Sequence, residues 1–207
     1  MKKHRLFMLS SGLLLCLQLP SVYAAKSLTV TVYAHDDLAT LSDAQLNTDY
    51  FQHWLDEMRT FTQHPIEVIF RRKVPGITDI AYADMSSNRL LDQFTRELLL
   101  QDQRPFSFMN KNMLMTRNSY DRSGFNYNAG LAYLKQNTAI ASLAAYSAPA
   151  HEIGHMLGAT HEDAELKFNG WFCETYTHPR VPVRSNCYRY SDKNRTHIAD
   201  YIKYNSK

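Results

Sequence analysis

Strand-like and helix-like patterns alternate through the first two thirds of the chain, and their order restricts the fold to few architectures. Alternating apolar residues predict strands over residues 27–34 and 66–70. Apolar residues at helical spacing predict one helix that begins after Ser42 and stops before Pro65, and a second that begins at Ser87. Because consecutive strands joined through a helix are connected by right-handed crossovers, we expect them to be parallel.

The segment after the second helix completes the predicted sheet. Strands are predicted over residues 112–116, 130–134 and 138–143, with a polar loop over residues 118–128. The short connection between the last two strands predicts an antiparallel edge between Gly130 and Leu134. The expected fold class is α/β: a mostly parallel sheet of about five strands with an antiparallel edge strand, two packing helices, a helix that carries the motif described next, and a short C-terminal part.

Residues 151–161 read HEIGHMLGATH, with three histidines at fixed spacing. His151 and His155 are four residues apart, so on a helix their imidazoles lie on one face. Gly158 favours a left-handed backbone that ends the helix and turns His161 toward the same point. Three neutral imidazoles leave one open position on a tetrahedral zinc ion, which is typical of catalytic and not of structural sites. The motif therefore predicts one Zn²⁺ ion held by His151, His155 and His161.

Glu152 is the candidate catalytic residue. It follows the first ligand, and it can reach a water at the open position without itself binding the metal. In that place it would accept a proton from a water that attacks a scissile carbonyl, and later pass the proton to the leaving amine. The first five motif residues alone are a weak signal, whereas the complete string is specific. The other histidines are interpreted as ordinary core or surface residues: His35, His53, His64, His178 and His197.

Residues 1–24 have the pattern of a secretory signal peptide. A basic start is followed by an apolar stretch over residues 6–19 and by small residues near Ala24, after which we expect cleavage. Residues 25–207 would then form a single catalytic domain, secreted or periplasmic. The alternative of an uncleaved membrane anchor requires roughly 20 apolar residues, and this stretch is shorter and is interrupted by Gln18. Lipidation of Cys16 is a further alternative, which the large Leu15 before it disfavours.

The charge of the chain comes largely from this leader. The 23 basic residues outnumber the 20 acidic ones only through Lys2, Lys3 and Arg5. The remaining chain is nearly neutral, and nothing in it favours nucleic acid or a lasting membrane contact. We expect a monomer whose partner is a peptide or protein substrate.

Two cysteines remain after the leader. Cys173 and Cys187 would reach an oxidising compartment, where a disulfide is their natural state. The alternative is a pair of buried free thiols. Neither cysteine has a partner at metal-binding spacing, so a structural zinc site is disfavoured.

The string HEIGHMLGATHED resembles the zinc-binding segment of the metzincin clan of zinc endopeptidases, and is most similar to the adamalysin or reprolysin type. The resemblance implies a twisted sheet, an active-site helix, one catalytic zinc and a cleft beneath the edge strand. It also implies that an extended peptide substrate pairs with the strand between Gly130 and Leu134. Glu162 and Asp163 follow the third histidine. At the position directly after that histidine adamalysins have Asp and astacins have Glu, so the subfamily stays open.

The methionine turn of this clan has no direct counterpart, because no methionine follows Met156. The segment CYRYS, residues 187–191, would place Tyr188 in the methionine position, beneath the zinc. Tyr190 would then occupy the position at which astacin-like enzymes have a Tyr that contacts the metal or the oxyanion. The resemblance thus implies Tyr190 as a further catalytic residue. The alternative is that both tyrosines are core aromatics.

The expected function is that of a secreted zinc-dependent endopeptidase. One alternative is a non-catalytic zinc-binding module, against which Glu152 argues, since such a module needs no base beside the open position. A second alternative is an amidase that acts on cell-wall peptides. The sequence does not decide between peptide substrates, because the chemistry of the groove formed by residues 162–187 would determine them.

Overall fold

A five-stranded sheet forms the centre of the computed structural model. The structure describes residues 26–101, 107–124, 126–168, 170–180 and 184–206, so the proposed signal peptide lies outside it. The strand order is β2-β1-β3-β7-β6. The first four strands are parallel, and β6 is antiparallel to β7 with Gly130 opposite Ala141. This confirms the predicted sheet with its antiparallel edge. The strands are β1 (Leu28–Ala34), β2 (Ile66–Arg71), β3 (Asn110–Thr116), β6 (Gly130–Ala132) and β7 (Thr138–Ser142).

The first predicted helix is interrupted by a π-helical turn. Ser42 caps its start, and Gln45 returns a hydrogen bond to the backbone of Ser42, so the two residues form a capping box. A π-helical segment over Asn47–Phe51 then separates two α-helical parts. The helices are α1 (Asp43–Leu46), α2 (Gln52–Phe61), α3 (Ser87–Leu100), α4 (Ala148–Met156) and α5 (Asp192–Asn205). Helix α5 is absent from the sequence-based assignment.

Helices cover both faces of the sheet. Successive side chains of a strand point to opposite faces, and Val32 and Tyr33 on β1 accordingly belong to different apolar clusters. On one face the sheet packs with Trp54 of α2 and with residues of α4 and α5. On the other face it packs with Phe94 and its neighbours on α3. The central strands are therefore buried on both sides, as expected of a parallel sheet.

The polar segment over residues 118–128 contains a hairpin and not only a loop. Its strands are β4 (Tyr120–Ser123) and β5 (Asn126–Asn128). The carboxylate of Asp121 accepts hydrogen bonds from the Ser87 backbone N–H at 3.1 Å and from the Asn128 side chain at 2.8 Å. These bonds attach the hairpin to the start of α3. The expectation of a loop was wrong because a polar, exposed hairpin has no apolar alternation.

The C-terminal part carries a second, small sheet. Strands β8 (Leu166–Phe168), β9 (Phe172–Glu174) and β10 (Ser185–Asn186) form it in the order β10-β9-β8. Helix α5 follows and packs on the main core through Ile198 and Ile202. Within the ranges that the structure describes, no helix has the length and apolar character needed to cross a lipid bilayer.

Candidate metal centre

Helix α4 carries the first two motif histidines on one side. Pro149 lies in its first turn, where backbone N–H groups have no partner within the helix, so the missing N–H of proline costs nothing. The apolar residues of the helix are buried, whereas His151 and His155 are only half-buried. Their ring centroids are 4.7 Å apart. The predicted helical spacing is therefore realised, with both imidazoles directed out of the core.

A tight turn after α4 brings in the third histidine. Gly158 has φ +98°, a left-handed conformation that favours glycine. The N–H of Ala159 donates back to the carbonyl of Gly154 at 2.9 Å, which reverses the chain. His161 then lies across from the helix. The role predicted for Gly158 is confirmed.

The three imidazoles converge through their Nε2 atoms. Nε2 of His161 is 3.0 Å from Nε2 of His151 and 3.0 Å from Nε2 of His155. The Nδ1 atom of His151 donates to the carbonyl of Tyr176 at 2.7 Å, and that of His155 to the carbonyl of Ala159 at 2.9 Å. Since Nδ1 carries the proton in both rings, both Nε2 lone pairs face the shared point. This carbonyl support fixes the ring orientation as a metal ligand requires.

The donor set fits a zinc ion. Tetrahedral Zn–N bonds of about 2.0–2.1 Å place ligand nitrogens roughly 3.3 Å apart, close to the 3.0 Å observed here. Burial, followed by the neighbouring imidazoles, lowers the pKa of His151 to about 3. Its ring is therefore neutral at ordinary pH, which is the form that binds metal. The ligand atoms of the three histidines lie within 4.8 Å of one another.

The carboxylate of Glu152 lies against the edge strand β6. Its side chain is buried, and burial raises its pKa well above the usual value, while a hydrogen bond from the Ala132 backbone opposes that shift. A Cβ atom added to Gly130 would come within 2.6 Å of Glu152 Oε1. Only glycine leaves room for the carboxylate at this point. The sequence predicts both Glu152 and the strand, but not this contact between them.

A cleft of about 690 Å³ opens on the histidines. Strand β6 forms one side, and the C-terminal part forms the other. Its size is within the usual range of ligand-binding pockets. His178, interpreted from the sequence as an ordinary residue, lies in this cleft, and no motif in the sequence marks it. The lining also includes Ala129, Leu131, Tyr146, Tyr176, Arg184 and Tyr188.

The positions expected for Tyr188 and Tyr190 are corrected. Tyr190 is fully buried, its hydroxyl donates to the carbonyl of Ala150 at 2.6 Å, and its ring abuts Gly154 on the rear of α4. Tyr188 is 48% exposed and lines the cleft. Tyr190 thus packs beneath the helix, where Tyr188 was expected, and its hydroxyl is already hydrogen-bonded to a helix carbonyl. The short alignment failed because two tyrosines two residues apart fit either assignment.

Tyr176 links the metal site to α2. The carbonyl of Tyr176 accepts the His151 bond, and its hydroxyl donates to Nδ1 of His53 at 2.6 Å. Nε2 of His53 donates in turn to the carbonyl of Tyr146 at 3.2 Å. Burial lowers the pKa of His53, so the neutral ring is favoured. His53 and Tyr176 therefore position a ligand without touching the shared point, and no sequence spacing indicates that role.

The predicted disulfide is present. Cys173 on β9 and Cys187 after β10 are joined, with their Cα atoms 5.0 Å apart and a sequence separation of 14. The bond fixes the chain next to Tyr188, so it braces the cleft wall opposite β6. The alternative of two free thiols does not apply.

Comparisons with known proteins identify the fold. A crystal structure of metalloproteinase-II from Bacteroides fragilis matches with a TM-score of 0.66 and 17% identity over 87% of this chain. This chain shares its fold with a metalloproteinase. The match covers 54% of that protein, so this chain spans about half its length.

A second solved structure matches less well. It is described as a chaperone–substrate complex and gives a TM-score of 0.55 with 10% identity over 88% of this chain and 35% of the other. No protein-family model and no curated protein matches the sequence. At these identities the likeness establishes the fold alone, and the chemistry rests on the residues of the site.

Proposed function

We propose that this protein is an exported, monomeric, zinc-dependent endopeptidase of the metzincin type, similar to the adamalysins. His151, His155 and His161 would hold one Zn²⁺ ion, and Glu152 would be the general base. One observation supports this above all others: the three Nε2 atoms converge beside a buried carboxylate that touches an open sheet edge. A site that only bound zinc would have no use for that carboxylate.

The location of Glu152 supports a role as general base in peptide hydrolysis. Zinc, when bound, would supply a Lewis acid and an acidified water. The positive charge of a bound zinc would oppose the effect of burial on the Glu152 pKa and favour the ionised form. The carboxylate would then accept a proton from the attacking water and deliver it to the nitrogen of the leaving amine. Its contact with Gly130 holds it at the border between the histidines and the cleft.

The substrate is proposed to be an extended peptide segment along β6. Among the residues that the structure describes, this strand pairs with β7 alone, so its other edge offers backbone donors and acceptors. Addition of a strand gives affinity through the main chain and leaves sequence preference to the cleft walls. The residues between Gly130 and Leu134 would pair with the substrate while the scissile bond lies over Glu152.

Export to a periplasm or to the outside is part of the proposal. The disulfide between Cys173 and Cys187 is typical of such compartments. The leader-like residues 1–24 agree with the same destination.

Metal-dependent cleavage of an unfolded protein tests the proposal. Purified protein with one bound zinc should hydrolyse reduced, carboxymethylated casein, lose that activity with a chelator and regain it on addition of Zn²⁺. Full zinc content without any cleavage of casein or of a peptide library would favour the non-catalytic zinc-binding module. Cleavage of cell-wall peptide alone would favour the amidase.

A further inference from the structure

An exposed aromatic cluster lies at the end of the hairpin formed by β8 and β9. Phe168 and Phe172 are opposite each other in the register, with ring centroids 5.2 Å apart. Their exposed fractions are 68% and 54%, Trp171 is 64% exposed and Leu166 is 41% exposed. Neighbouring large apolar side chains rarely stay in water without a binding role. We call these four residues the aromatic hairpin.

The aromatic hairpin is continuous with the wall of the cleft. Strand β9 runs from Phe172 directly to Glu174, which lines the cleft. Ser185, another lining residue, donates a hydrogen bond to the carbonyl of Phe172 at 3.3 Å. The disulfide next to Phe172 ties β9 to the chain that carries Tyr188. A polypeptide that leaves the cleft on this side would therefore meet the exposed rings.

We propose that the aromatic hairpin is a second binding surface for the substrate, which holds an apolar segment of the polypeptide outside the cleft. This inference rests on the proposed endopeptidase function and names a substrate class for it: unfolded or extended protein chains with an apolar stretch beyond the cleavage site. Aromatic side chains supply large contact area at small entropic cost, so a few of them contribute much of the affinity of an interface.

The charges around the hairpin favour a polypeptide over a lipid surface. Lys167, the cation between Leu166 and Phe168, is paired with Glu165 at 2.7 Å. Interfacial anchors usually combine apolar residues with unpaired basic residues that attract anionic headgroups. The aromatic hairpin has exposed rings but no such excess of positive charge, so a polypeptide is favoured over a lipid surface.

Kinetics on long and short substrates test the proposal. The variant with Phe168→Ser and Trp171→Ser should raise KM for reduced, carboxymethylated casein by about tenfold or more, because two apolar contacts are lost. Turnover of a short peptide that fills only the cleft should stay unchanged, which also shows that the variant is folded. Tyr204→Ser is the matched control, since Tyr204 is 78% exposed on α5 and away from the cleft lining.

Two kinetic outcomes overturn the proposal. An unchanged KM for casein would show that the rings do not bind substrate. An equal loss on the short peptide would show that the hairpin only shapes the cleft.

A binding measurement gives an answer that does not depend on hydrolysis. Trp171 is exposed and the other tryptophan, Trp54, is fully buried, so a change in exposed-tryptophan emission reports on the hairpin. In the Glu152→Gln variant, an extended apolar polypeptide that contains no tryptophan should shift the emission to shorter wavelength, and Phe168→Ser should weaken that binding. No shift with this polypeptide, or a shift only with phosphatidylcholine–phosphatidylglycerol vesicles, would overturn the inference. Failure of the proposed function would appear separately, as absence of short-peptide hydrolysis by the unaltered protein.

Discussion

Replacement of Gly130 by alanine tests the contact between the edge strand and the general base. A Cβ at this position would lie 2.6 Å from Oε1 and 2.7 Å from Cγ of Glu152, and 2.8 Å from the carbonyl oxygen of Ile140. Ordinary contacts of a carbon atom are roughly 3.5 Å, so the partners must separate by nearly 1 Å. The carbonyl of Ile140 belongs to strand β7 and is held by the sheet. The side chain of Glu152 is therefore the group that moves.

The structure allows the size of the effect to be estimated. Overpacking of a close contact costs about 1–3 kcal/mol. For a domain of this length each kcal/mol lowers Tm by about 2–4 °C. A catalytic group displaced by about 1 Å loses on the order of 100-fold in rate. We expect Gly130→Ala to keep its zinc, to melt several degrees lower and to lose about 100-fold in kcat.

Three measurements on one sample check this prediction: bound zinc, Tm and kcat on a short peptide. Gly124→Ala is the control, because a Cβ there meets nothing within 4 Å, although its positive φ costs some stability. The control should therefore lose stability but not kcat. Near-normal kcat in Gly130→Ala would refute the placement of Glu152 against the edge strand. In a Glu152→Ala background, Gly130→Ala should destabilise the protein less, because the new Cβ then clashes with the carbonyl of Ile140 but no longer with the Glu152 side chain.

Three further predictions follow from buried groups. Tyr190→Phe should lower the free energy of unfolding by about 1 kcal/mol, because the bond to Ala150 is lost, with kcat unchanged; a large loss of kcat would restore a catalytic role. Lys111 is buried in β3, and burial lowers its pKa to about 7. Between pH 7 and the higher pKa of Lys111 in the unfolded chain, the unfolded chain binds one proton more than the native protein. The stability of the native protein should therefore rise relative to Lys111→Met from pH 7 to 10, by a few kcal/mol in urea titrations, and a constant difference would contradict this. Replacement of Cys173 and Cys187 by alanine should cost about 3 kcal/mol, measured by thermal melting, and an unchanged Tm would argue against a bracing role.

Local patterns account for what the sequence predicts correctly. The strands of the main sheet and the convergence of His151, His155 and His161 follow from periodicity and from a helix that ends near Gly158. Each of these inferences uses residues close together in the chain. Their geometry is set by the helix repeat and by backbone conformation, which act without reference to the rest of the fold.

Long-range packing accounts for what the sequence does not predict. The exchange of Tyr188 and Tyr190 depends on which ring reaches Gly154 in α4, a residue far from both in sequence. The contact of Glu152 with Gly130, and the support of His151 by Tyr176, likewise join distant segments. Helix α5 is missed because its polar residues dominate, and tertiary burial of a few apolar side chains stabilises it.

Substitution of Glu152 by glutamine tests the central claim most directly. Glutamine keeps the size of the side chain and removes the proton acceptor, while His151, His155 and His161 stay unchanged. Bound zinc and hydrolysis of a short peptide would be measured on the same sample. We expect one zinc per chain and a loss of kcat of at least 100-fold to 10,000-fold, as is typical of lost general acid–base catalysis. Full zinc content with near-normal hydrolysis would contradict the assignment of Glu152 as the base.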